Sequence, residues 1–212
     1  MEDLISFLFR WFHVLAGVVW IGMLYYFNFV QGGYFKHASP EGLADAKAKL
    51  APEALWWFRW GAMITFLTGV VLLHIIHNMG ALNAAIVLGA SMGTLMFLNV
   101  WLIIWPNQQI ALGMKEGDAA SAGAKALLAS RTNTLFSGPM LFGMLAGPHF
   151  ASSGAGYGSP VTSTALYVSL GIIALVELNG LFGKLGPLTS VKGVIHSSLG
   201  LTLVFGLVYY VL

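Results

Sequence analysis

The sequence predicts an all-α integral membrane protein: a single bundle of about six transmembrane helices over residues 1–212, with both termini external. Three observations carry this. Hydrophobic residues make up 58% of the chain and charged residues 8%, whereas a soluble domain carries about a quarter charged residues. Apolar runs recur at the roughly 20 residues that a bilayer crossing needs. Nine of the ten basic residues fall on one side of those runs, the asymmetry that orients a membrane protein.

The runs are 4–30, 55–77, 82–105, 132–149, 164–183 and 190–212. Helix is the conformation they require, because an open strand in lipid leaves its backbone unpaired. Glu2 and Asp3 stand where a secretory signal would carry basic residues, so the first run reads as an uncleaved span. Ser39-Pro40-Glu41 reads as an N-cap, a proline in the first turn and an acid near the positive helix end, which predicts a short helix to about Leu50. Pro52 precedes the second run, and Pro106 is expected to close the third. The alanine-rich stretch from Asp118 to Ser130 predicts another short helix, and Pro139 predicts a kink in the fourth run. A Gly- and Ser-rich external loop over 151–160 has Tyr157 as its one anchor, and Gly186-Pro187 turns the fifth run into the sixth. Arg10 alone lies on the side of the termini. Lys36, Lys47, Lys49, Arg59, Lys115, Lys125, Arg131, Lys184 and Lys192 lie on the other, which is therefore cytoplasmic. The expected location is a bacterial inner membrane.

Gly89 and Gly93, and Gly143 and Gly147, form two small-xxx-small stripes. These read as close helix packing, or as room for a flat cofactor. Trp11, Trp20, Trp56, Trp57, Trp60, Trp101 and Trp105 read first as an interfacial belt. There is no cysteine, which excludes disulfides, thiolate metal sites and c-type haem attachment. Nothing points to a nucleic-acid partner.

Ionisable groups inside spans need a partner or a purpose. His13, His74, His77 and His149 collect toward the external side on three helices, while His37 sits in the cytoplasmic loop. Neutral imidazole is the common axial ligand of b-type haem, so haem b is the expected cofactor. His13 and His74 match in depth as iron ligands, with His77, His149 and Arg10 as further cofactor contacts; Arg10 suits a propionate. The alternative reading has each histidine hydrogen-bonded to a carbonyl or water at a helix end. Toward the cytoplasm, Glu177 and His196 are nearly equidistant from the Gly186-Pro187 turn. They read as a proton relay, as part of a metal site or as a structural pair that sets helix register, with Asn179, Ser197 and Ser198 nearby. A haem near the outside and a protonatable pair near the inside would suit a quinone or proton-coupled redox device.

The first run contains Arg10-Trp11-Phe12-His13-Val14-Leu15-Ala16-Gly17 and Trp20-Ile21-Gly22; the second contains Trp57-Phe58-Arg59-Trp60 and Thr68-Gly69. The third closes in Asn99-Val100-Trp101 and Trp105-Pro106-Asn107-Gln108, and the fourth opens Ser130-Arg131-Thr132-Asn133-Thr134 and runs through Pro139-Met140-Leu141-Phe142 to His149. Over roughly residues 10–150 this resembles the membrane domain of bacterial cytochrome c-linked urate oxidases, the urate oxidase N-terminal domain family. The resemblance implies a polytopic redox protein that passes electrons to a periplasmic cytochrome c. It points to His13, Asn99, Pro106, Asn107, Gln108, Arg131, Asn133 and His149. Members with the full architecture carry more spans and a C-terminal cytochrome c domain. This sequence reaches Leu212 without a c-haem motif, so a separate cytochrome or other membrane subunits are the expected partners. The function expected is a membrane redox subunit; the alternatives are an accessory subunit of a respiratory or photosynthetic complex, and a transporter, for which no inverted repeat is seen.

Overall fold

The computed structural model describes residues 2–150 and 158–212; Tyr157 and most of the loop around it lie outside the described residues. No strand occurs among the described residues. Six long helices follow one another among the described residues: α1 Asp3–His37, α2 Pro40–Asn78, α3 Ala84–Ala111, α4 Ala119–Phe150, α5 Thr164–Phe182 and α6 Val191–Val211. Helix starts follow the capping residues. The side chains of Ser39, Asn83, Ser163 and Ser190 accept from the backbone N–H three residues on, that of Gly42, Ile86, Leu166 and Gly193, satisfying donors the first turn leaves open. Gly80 and Gly113, with φ of 65° and 76°, follow the ends of α2 and α3, where a left-handed residue stops a helix at little steric cost.

Three expected interruptions are absent. The helix beginning at Pro40 does not end near Leu50 but continues through a π-helical turn, Ala46–Leu50, into the second apolar run. Pro52 falls in the first turn after it, where its missing N–H is tolerated. Pro106 likewise follows a π-helical turn, Asn99–Ile104, and the helix runs on to Ala111. A third wide turn, Tyr26–Gln31, lies within α1. The 118–130 segment is no separate helix either: it is the first part of α4, which runs unbroken past Pro139.

Five of the six helices, α1, α2, α3, α5 and α6, are long and apolar enough to cross a membrane. The exception, α4, has 32 residues and contains the predicted fourth span. Its middle is polar: Ser130, Arg131, Thr132, Asn133, Thr134 and Ser137 are all buried. Packing explains why. α4 lies at the centre, against α1, α3, α5 and α6, so its side chains meet helices rather than lipid and need not be apolar. The core around it is built from Leu24, Phe58, Met92, Met96, Phe136 and Phe205, each at most 1% exposed. Outward faces stay apolar, with Phe182 83% and Tyr210 78% exposed, as a lipid-facing surface requires. Trp11, Trp56, Trp57 and Trp60 are exposed and suit a belt, but Trp20 is buried in the core.

The glycine stripes make the α3–α4 crossing. A Cβ on Gly143 would lie 2.8 Å from Ala85 O and 3.0 Å from Gly89 N, and one on Gly89 would lie 3.0 Å from Met140 O. Both obstacles are backbone, so neither helix can yield without moving. Gly143→Val is expected to lower the melting temperature of the detergent-solubilised protein, with a destabilisation of about 1–3 kcal/mol from overpacking. An unchanged melting curve would show that the crossing is looser than this.

Candidate functional site

His13 lies on α1 against α2. Its Nδ1 is 2.9 Å from the Thr65 carbonyl oxygen and 3.1 Å from Thr68 Oγ1. A carbonyl only accepts, so Nδ1 carries the proton and donates. The Thr68 hydroxyl is already donating to Ile64 O at 2.7 Å. Gly69 makes the seat: a Cβ there would lie 3.0 Å from His13 Cε1. Among the described residues no partner engages Nε2. In the neutral ring, with its proton on Nδ1, this nitrogen is the unprotonated one and its lone pair is available.

His13 lines a cavity of about 390 Å³ formed by α1, α2, α3 and α4. Its walls include Leu72, Ile76 and Met144, and Arg10 and His149, both exposed, belong to the same cavity. Three of the five residues predicted to contact a cofactor thus share one space. Arg10 also borders a second hollow of about 620 Å³ with Asp3 and Asn78.

His74 and His77 go elsewhere. Both are exposed and line a groove of about 940 Å³ between α2, α3 and α5, and Asn78 Nδ2 lies 3.0 Å from His74 Nε2. The depth-matched pair, His13 and His74, is not brought together. From Gly69, which touches His13, His74 is five residues on, about 140° around a helix of 3.6 residues per turn. His37 is exposed. Among the described residues no three His, Cys, Asp or Glu side chains gather as a metal-binding group.

The buried polar centre lies where α3, α4 and α5 meet. Asn99 Nδ2 donates to Asn133 Oδ1 at 2.9 Å and to Glu177 Oε2 at 3.2 Å. Asn133 Nδ2 donates to Met96 O at 2.9 Å. Asn99, Asn133 and Glu177 are 2%, 0% and 8% exposed. Asn99 opens the π-helical turn of α3, a distortion frequent at functional positions. Glu177 is therefore tied to Asn99, and only through it to Asn133, and not to His196, which is exposed on α6; among the described residues no hydrogen bond or ion pair joins Glu177 and His196. Asn179 instead closes α5, with its side chain on Lys184 N and O, and Ser198 Oγ accepts from Gly138 N at the α4–α6 contact.

Of the other residues carried by the resemblance, Asn107 Nδ2 donates to its own helix at Ile103 O, and Gln108 is half-buried. Arg131 is 9% exposed, and among the described residues its Nε and Nη1 have no hydrogen-bond partner; Arg59 lies over the Trp105 ring at 3.3 Å. Asn28, which sequence reasoning passed over, ties α1 to α4 through Ser130 Oγ at 2.8 Å. A buried asparagine in an apolar run was the available signal. The Asn99–Glu177 link had one too: both lie well inside apolar runs, and the depth comparison that pairs Glu177 with His196 applies equally to Asn99.

The sequence model of the family described as urate oxidase N-terminal matches residues 77–177. No curated protein and no solved structure matches the chain. The matched stretch contains Asn99, Asn107, Gln108, Arg131, Asn133 and His149, with His77 and Glu177 at its two ends, and leaves out Arg10, His13, His74 and His196. The whole asparagine–glutamate centre thus lies within it, while the His13 seat is built from residues before it. Across residues 77–177, the chain resembles the urate oxidase N-terminal family.

Proposed function

We propose that the protein is a membrane redox subunit that holds a b-type haem in the His13 cavity and exchanges electrons with a partner protein. In this reading all six helices span a bacterial inner membrane and both termini face outward, because nine of the ten basic residues then lie in the cytoplasmic half. The observation that carries the proposal is the hydrogen bond from His13 Nδ1 to Thr65 O. Metal-ligating histidines characteristically anchor one ring nitrogen on a carbonyl, which fixes the tautomer and leaves the other nitrogen basic.

The residues present fit a haem in kind. The cavity is apolar, of a volume within the roughly 300–1,000 Å³ common for small-molecule sites, and it carries a second imidazole, His149, and the cation Arg10. His13 would hold the iron through Nε2, Arg10 would neutralise a propionate, and Leu72, Ile76 and Met144 would exclude water. A bound haem would supply one-electron chemistry there. A periplasmic cytochrome c or neighbouring membrane subunits would complete the electron path.

The test is a reduced-minus-oxidised visible spectrum of the protein purified from its native membrane, with the subunits identified in the same sample. A b-type signal that follows this polypeptide is expected. A colourless polypeptide, or haem belonging wholly to its neighbours, would overturn the redox reading in favour of an accessory subunit.

A further inference from the structure

The groove that takes His74 and His77 ends at Glu177, and the two features together point to a ligand. α3 forms its floor with Ala90 and Thr94; Leu73 of α2 and Ile173 and Ala174 of α5 stand on either side. It opens away from the bundle, toward lipid in the orientation proposed above. The hydroxyls of Ser91 and Thr94 donate within α3, to Val87 O and Ala90 O at 2.8 Å each, so they offer no proton to a ligand. Glu177 differs. It is 8% exposed, its Oε2 is held by Asn99, and among the described residues nothing engages its Oε1. A carboxyl with one oxygen fixed and one facing an apolar groove lacks a hydrogen-bonding partner where burial makes such a lack costly.

We propose that this groove binds the ring of a lipid-soluble quinone or quinol, with the Glu177 carboxyl hydrogen-bonded to one ring oxygen. Depth selects this class. Glu177 is thirteen residues into α5 from Thr164, about 20 Å at 1.5 Å per residue, within a hydrocarbon layer about 30 Å thick. A phospholipid keeps its polar head at the interface and would offer Glu177 only methylenes. A purine or other polar solute would meet an apolar wall and would have to arrive through lipid. A quinone carries a polar ring inside the bilayer. The protonated carboxyl donates to a quinone carbonyl, and the ionised carboxyl accepts from a quinol hydroxyl, so one residue serves both forms. Binding stands without haem; only the onward route of electrons rests on the redox reading.

The experiment is binding of decylubiquinone and decylubiquinol to the full chain in phospholipid nanodiscs, with haem content recorded separately so that failure of the haem reading shows independently. Saturable binding is expected. Ala174→Phe, which fills the groove from an exposed position, is expected to abolish it with an unchanged melting temperature. Glu177→Gln keeps an acceptor for Asn99 but loses the ionised oxygen, so it is expected to weaken quinol binding roughly tenfold or more, the effect of one charge-assisted hydrogen bond. Absence of saturable binding, binding indifferent to both substitutions, or a tightly held phospholipid that decylubiquinone does not displace would each overturn the proposal.

Discussion

His13→Ala is expected to abolish haem retention by the purified polypeptide while leaving the fold in place. The imidazole sits at an edge of the bundle, half-buried, and its contacts are with α2 through Thr65 and Thr68. Removing it therefore loses about one interhelical hydrogen bond, worth roughly 1–2 kcal/mol at most in a membrane protein. The haem:protein ratio should nevertheless fall to background, because among the described residues the other imidazole on that cavity, His149, has no hydrogen bond that anchors it. His149→Ala should change the spectrum rather than erase it if His149 completes the coordination. His74→Ala should do neither, since His74 lines the groove on a different face of α2. Gly69→Ala offers a graded version: the new methyl would sit 3.0 Å from Cε1, pushing the ring by a few tenths of an ångström and loosening the haem without removing its ligand. An unchanged haem:protein ratio in His13→Ala would sink the assignment of the ligand, and loss in His74→Ala alone would restore the depth-matched pair.

The contrast between His13 and His74 shows how far the sequence was legible. Apolar runs gave the helices, and counting from their ends gave depth. Depth is only one of two coordinates. A helix advances about 100° per residue, so two residues at one level can face opposite ways, and only the packing of neighbours decides. Glu177 and His196 were matched in level, yet one turns inward to Asn99 and the other outward. The same missing coordinate explains Trp20, taken as an interfacial belt residue but buried against the core. The polar middle of α4 has a related cause: a central position lets Ser130, Arg131, Asn133 and Thr134 be buried among helices, which an apolar run by itself does not disclose. Proline was over-read as punctuation: a preceding π-helical turn lets Pro52 and Pro106 sit inside continuing helices. The resemblance named Asn99 and Asn133 without saying that they touch.

That contact carries the other large expected effect. Asn99→Leu is expected to destabilise the solubilised protein by about 2–4 kcal/mol, taking roughly 1–2 kcal/mol for each interhelical hydrogen bond lost. The melting temperature should drop by roughly 4–16 °C for a chain of this size. The substitution removes the donor to Asn133 Oδ1 and the donor to Glu177 Oε2 at once. Asn133→Leu should cost a comparable amount, because it also loses two bonds, those to Asn99 and Met96 O, while sparing the bond to Glu177. The diagnostic variant is the double replacement Asn99→Leu with Glu177→Leu. Leaving a buried polar group without its partner is expensive, whereas replacing both partners by apolar groups of similar shape is nearly neutral. The second substitution should therefore recover part of the stability that the first removed, although each alone destabilises. Such rescue is the signature of a direct pair, and simple overpacking by leucine would give additive losses instead. A destabilisation under about 1 kcal/mol for Asn99→Leu, or no rescue, would mean that packing at the α3–α4 crossing already fixes these helices. Asn99 would then serve to orient the Glu177 carboxyl toward the groove, and its loss should appear in quinol binding rather than in the melting curve.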